Sequence, residues 1–127
     1  TYEEAVKLHK EGTLNDAIFY YQLTALNCQY HPEDSLTYWW KAMCGQGEVW
    51  RQKNFLDHAR TDFETVLQTA SKYRLDTAEY IASRKLTLIS LERQHYDEAY
   101  SYAMRAWKMA AKTDRKTKGY WPVSPML

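Results

Sequence analysis

The chain has 127 residues, enough for one domain with a core of its own, and its 17 Lys and Arg against 16 Asp and Glu leave a net charge of +1. A balance so close to zero excludes a molecule drawn as a whole to nucleic acid or to an anionic membrane surface. No apolar run reaches the ~18 residues of a membrane span, and the two cysteines, Cys28 and Cys44, form neither a CxxC pair nor a disulfide framework, which points to a reducing compartment, cytoplasmic or nuclear.

With four Gly and three Pro in the whole chain, breakers are scarce and an all-α fold is expected. A short first helix carries Ala5, Val6 and Leu8 and ends near Lys10, and a turn at Glu11–Thr13 leads into a second helix over 14–29. "CQYHPEDS" (28–35) breaks the pattern. A third helix over 35–52 places Leu36, Trp39, Trp40, Met43, Gly47 and Trp50 at steps of three and four. Lys53–Asn54 turns the chain into a fourth helix over 55–71, and "SKYRLD" (71–76) separates it from a fifth. That fifth helix, 76–93, carries Ala78, Ile81, Ala82, Leu86, Ile89 and Leu91, and Asp76 with Glu79 reads as a capping box at its start. Arg93–His95 turns into a sixth helix over 96–112. The first helix is about half as long as the others and the chain has no initiator Met, so a piece of a longer solenoid is one alternative expectation.

Three stretches align: "EGTLNDAIFYYQLTAL" (11–26), "QKNFLDHARTDFETVL" (52–67) and "RQHYDEAYSYAMRAW" (93–107). Each sets a bulky residue (Leu14, Leu56, Tyr96) before two polar ones and an alanine (Ala17, Ala59, Ala99), and the units are 42 and 40 residues apart. Every unit is therefore a helix, a short turn and a second helix. A lone hairpin cannot cover its apolar face, so such units must stack. The alanines let helices approach and the aromatics fill the wider gaps. Three hairpins are expected, at 1–31, 35–72 and 76–111, followed by a basic, Pro-containing extension over 112–127.

These units resemble tetratricopeptide repeats. Ala5, Gly47 and, less closely, Thr87 match the small position of the family's first helix. Ala17, Ala59 and Ala99 match the alanine of its second helix, and Tyr21 and Phe63 the aromatic that follows, where the third unit has Ala103. The period of 40–42 exceeds the family's about 34, and only Pro32 stands where the family closes a repeat with proline. The resemblance covers residues 1–111 and implies a right-handed α-α superhelix whose first helices line a groove for a protein or peptide segment. Carried over by position, the groove residues are Lys41, Cys44, Glu48, Arg51 and Gln52 in the second unit and Ile81, Arg84, Lys85 and Leu88 in the third, with Glu92 beside them and Tyr2, Val6, His9 and Lys10 in the first. Basic residues dominate that set, so an acidic and apolar partner suits it. The subtype that clamps a C-terminal carboxylate needs Lys and Asn where this chain has Tyr2 and Val6, and a chaperone-tail adaptor is not expected.

Little else in the chain suggests chemistry. His58, beside Asp57 and one turn from Asp62, invites a base-and-orienter reading, but a solvated helix start is the favoured one. His58 and Asp62 alone are two ligands where a metal needs a set, and neither a metal nor a cofactor is expected. "GQGEVW" (45–50) lacks the third glycine and the strand of a phosphate loop. Two helical glycines cost ~1 kcal/mol each against alanine, which close helix contact, most simply at Gly47, would offset. Gly45 would otherwise open space for a ligand. Charge is uneven: residues 1–104 carry 11 Lys and Arg against 15 Asp and Glu, and 105–127 carry six against one. Lys112, Arg115, Lys116 and Lys118 make the end basic, and "YWPVSPML" (120–127) is apolar enough to pack back on the last hairpin or to dock on a partner. The expectation is a non-enzymatic protein-interaction module, an adaptor or scaffold. The alternative is binding of nucleic acid or another polyanion through the basic end.

Overall fold

The computed structural model describes the backbone of residues 1–30 and 32–117 and the side chains of 1–28 and 36–112. Among these the chain is all-α. Six helices follow one another: α1 (Tyr2–Glu11), α2 (Leu14–Tyr30), α3 (Pro32–Gln52), α4 (Leu56–Tyr73), α5 (Asp76–Glu92) and α6 (Tyr96–Thr117). The chain divides into two compact units, Thr1–Asp62 and Phe63–Leu127, and the division falls within α4.

One turn joins the helices at 12, 54 and 94. Gly12, Asn54 and Gln94 all have positive φ, at 83°, 65° and 62°. At each, the N–H of the left-handed residue reaches a carbonyl three residues back (His9, Arg51, Leu91), and the next N–H reaches one five back: Thr13 to Leu8, Phe55 to Trp50 and His95 to Ser90. This pair of bonds closes the last turn of a helix around a left-handed residue. The following helix then opens the same way three times, with the N–H of Ala17, Ala59 and Ala99 bonded to the carbonyl of Thr13, Phe55 and His95. All three alanines are buried. The 42- and 40-residue period of the sequence is thus a period of backbone geometry.

In the first unit α1 packs on α2, α2 on α3, and α1 touches α3. Its core is Ala5, Ala17, Ile18, Tyr21, Ala42 and Val49, flanked by Tyr2, Val6, Leu8, Leu14, Tyr20, Ala25 and Trp50. Four of these core side chains are no larger than valine, and Tyr21 fills the space they leave. Its ring lies against Gly45, where a Cβ would stand 2.4 Å from two ring carbons. A close approach therefore occurs at Gly45, and no room for a ligand opens there. Gly47 is buried, whereas Gly45 is half-buried.

In the second unit α5 and α6 form an antiparallel hairpin. Ala78, Ala82, Leu86 and Ile89 are buried on α5, Ala99, Ala106 and Ala111 on α6, and Phe63, Val66, Leu67 and Ala70 on the rest of α4. The alanine face of α6 is a packing surface, whereas Tyr96 and Tyr100 are exposed.

Two boundaries and one cap depart from what the residue pattern predicts by more than a residue or two. α3 begins at Pro32 rather than at 35, because proline is at home in the first turn of a helix, where its missing N–H has no partner to lose. α6 continues to Thr117 because 112–117 contain no glycine or proline. The capping box at the start of α5 does not form: no side chain caps that helix. Asp76 instead pairs with Lys112 at 3.3 Å and Glu79 with Arg105 at 3.0 Å, both carboxylates being drawn to cations of α6. The apolar end "YWPVSPML" lies outside the described residues.

Candidate functional site

The expected groove residues of the second hairpin lie along α3. At about 100° per residue, Lys41, Cys44, Glu48, Arg51 and Gln52 share one side of it. Arg51 and Glu48 hold each other in a two-pronged pair, Nη2 to Oε1 at 2.7 Å and Nε to Oε2 at 3.2 Å. The Lys41 ammonium lies 6.0 Å from the centre of the Tyr38 ring. Cys44 is half-buried and forms no disulfide.

α1 brings part of its own expected set to that side. Tyr2 stands 6.0 Å from Tyr38, ring centre to ring centre, and 6.1 Å from Tyr21. Burial pushes the Tyr2 hydroxyl above its ordinary pKa, and the neighbouring Cys44 adds to the shift. His9 links three helices: Nδ1 lies 3.1 Å from the Tyr21 hydroxyl and Nε2 3.0 Å from Gln52 Oε1. Gln52 Oε1 can only accept, so Nε2 carries the proton and Nδ1 accepts from Tyr21. Burial raises the Tyr21 pKa to about 12, keeping it a donor.

On α5, Arg84 and Leu88 are exposed and Ile81 and Lys85 half-buried. The Arg84 guanidinium lies 5.6 Å from the Tyr80 ring centre, with Nη1 3.5 Å from the Tyr80 hydroxyl. These four residues belong to the second unit.

A second constellation stands on the opposite side of α3. Gln22 of α2, Gln46 and Trp50 of α3, and Asp57, His58, Thr61 and Asp62 of α4 line a pocket of about 290 Å³. Asp62 is only 7% exposed. Burial pushes its carboxyl up to about 7, against a smaller lowering by a side-chain hydrogen bond from Gln46. Its Oδ2 is buried with no hydrogen-bond partner. His58 is exposed, as a helix-start residue should be, but its ring also leans on Trp50, with centres 4.7 Å apart. The Thr61 hydroxyl donates to the Asp57 carbonyl at 3.0 Å.

The residue pattern linked Asp62 only to His58 and missed Gln22 and Gln46. A signal for its burial was present: Asp62 comes three residues after Ala59 and one before Phe63, both core positions, so helical spacing carries it inward. No group of three or more His, Cys, Asp or Glu that could hold a metal occurs among the described residues, and no described helix is long and apolar enough to cross a membrane. No protein-family model, no curated protein and no solved structure matches the chain.

Proposed function

We propose that the chain is a tetratricopeptide-like, non-enzymatic module that binds a protein segment, with an adaptor or scaffold role in the cytoplasm or nucleus. Lys41, Cys44, Glu48, Arg51 and Gln52 form the recognition face of the first unit, and Ile81, Arg84, Lys85 and Leu88 that of the second. The observation that carries the reading is the joining of α1 to α3 through Tyr2, Tyr38, His9 and Gln52, which makes one aromatic and polar surface from the first helices of two successive hairpins. The hairpin turn that recurs three times supports the likeness to a repeat family. Exposed Leu88 offers an apolar anchor beside Arg84, and charge pairing would set register and association rate.

Partner capture with the intact chain, followed by hydrogen exchange of the complex, tests this. Protection is expected on α3 and α5. Charge reversal at Arg51 and Arg84 together should weaken binding by tenfold or more and flatten its salt dependence. An unchanged affinity in that variant, checked for native helicity, removes these faces from the function.

A further inference from the structure

The pocket between α2, α3 and the start of α4 is unrelated to the faces just described. Gln46 and Trp50 point away from Cys44, Glu48 and Arg51 by roughly half a turn of α3. Its lining is unusual in three respects. Asp62 is more than nine-tenths buried and sets an unpartnered carboxylate oxygen at the pocket. The other acid in the lining is Asp57, and the lining contains neither lysine nor arginine; the Lys53 ammonium lies outside it, 6.0 Å from the centre of the Trp50 ring. Trp50 supplies an aromatic wall, held by edge-on contact with Phe55 at 5.6 Å and by the His58 ring.

A buried acceptor without a donor costs ~1–3 kcal/mol, so a site that keeps one gains most from a ligand that donates to it. The volume of about 290 Å³ lies at the lower edge of the ~300–1,000 Å³ of small-molecule sites, room for one side chain. Carboxylate, amide oxygens and an indole face together suit a planar or compact cation. We propose that this pocket receives an arginine or lysine side chain of a protein partner, its guanidinium or ammonium donating to Asp62 Oδ2 and packing against Trp50.

The titratable groups around Asp62 in the pocket are Asp57 and His58 of α4; α2 and α3 contribute Gln22, Gln46 and Trp50. A bound cation favours the ionised carboxyl, so binding releases a proton wherever Asp62 is protonated in the free protein. Affinity therefore strengthens as pH rises toward and past 7. This inference is independent of the proposed recognition faces, because charge reversal at Arg51 and Arg84 leaves the pocket intact.

The test uses the intact 127-residue chain with ¹³C-labelled aspartate and ¹⁵N-labelled tryptophan, titrated with acetyl-Gly-Arg-Gly-amide, acetyl-Gly-Lys-Gly-amide and the neutral acetyl-Gly-Gln-Gly-amide. The cationic peptides should shift the Asp62 carboxyl and Trp50 indole resonances saturably and bind at least tenfold tighter than the glutamine peptide. Their affinity should rise about tenfold from pH 6 to pH 8. Asp62→Asn, which keeps shape and removes charge, should lose at least tenfold in affinity and most of the pH dependence, and Trp50→Phe should lose less. Equal binding of the neutral peptide overturns the proposal, as does an Asp62→Asn variant that binds like the parent. Shifts confined to residues outside the pocket overturn it too.

Discussion

A methyl group on Gly45 would stand 2.4 Å from two carbons of the Tyr21 ring and 2.9 Å from its hydroxyl oxygen. Helix propensity alone favours alanine there by ~1 kcal/mol, but the ring belongs to a core residue 2% exposed and tied to His9. Overpacking of this kind costs ~1–3 kcal/mol. Gly45→Ala is therefore expected to be neutral to destabilising by about 2 kcal/mol, read as a lower midpoint in urea. A clear gain in stability would mean that Tyr21 moves aside freely. Asp62 offers a second prediction, with its sign set by burial. Its carboxyl goes from the model-peptide value of 3.8 in the unfolded chain to about 7 in the fold. Between those values the native state holds a proton that the unfolded state has lost, so the stability tied to this group falls as pH rises from about 4 to 7 and levels off above. The gap corresponds to a ceiling of ~4 kcal/mol. Asp62→Asn should match the parent near pH 4 and become progressively more stable than it up to pH 8, measured by denaturant unfolding at each pH. A constant difference across that range would contradict the burial argument.

The hairpin turn is the element on which the repeat depends. It uses glycine at 12, asparagine at 54 and glutamine at 94 for one left-handed position. Glycine adopts that conformation without penalty, asparagine with little, and other residues at ~1–2 kcal/mol. Gln94→Gly should therefore stabilise the α5–α6 hairpin by about 1 kcal/mol, less the greater freedom glycine gives the unfolded chain, and Gly12→Ala should destabilise the first hairpin by a similar amount. Thermal midpoints of the two variants, moving in opposite directions, check this. The turns were legible in the sequence because they are local: a left-handed residue, a helix behind it and an alanine five residues on. The cap of α5 was not legible in the same way. Asp76 and Glu79 have the spacing of a capping box, yet the cations that recruit them, Lys112 and Arg105, are 36 and 26 residues away in sequence.

For the molecule as a whole, charge bears on the choice of partner. The basic end suggests a polyanion, but two of its cations are already engaged, Arg105 with Glu79 and Lys112 with Asp76. Those pairs remain attached to a body that carries more acid than base over residues 1–104. Polyanion binding through phosphate contacts would show affinity falling steeply with salt. Titration with a single-stranded oligonucleotide near 150 mM salt is expected to give no saturable binding. Tight binding with a steep salt slope would favour the basic end, Arg115, Lys116 and Lys118 included, as the functional surface.

Periodicity, turn residues and composition are properties of short stretches, and from them follow the six helices, the three equivalent turns and the buried alanines that succeed them. The contact of Tyr21 with Gly45, the line from Tyr21 through His9 to Gln52, and the burial of Asp62 beside Gln46 and Gln22 each join side chains from different helices. Whether a polar residue near an apolar face is solvated or enclosed depends on what another helix places over it. Desolvation acts only once that helix has arrived, and so the pocket, with one unpartnered oxygen of the Asp62 carboxyl, was decided by tertiary packing.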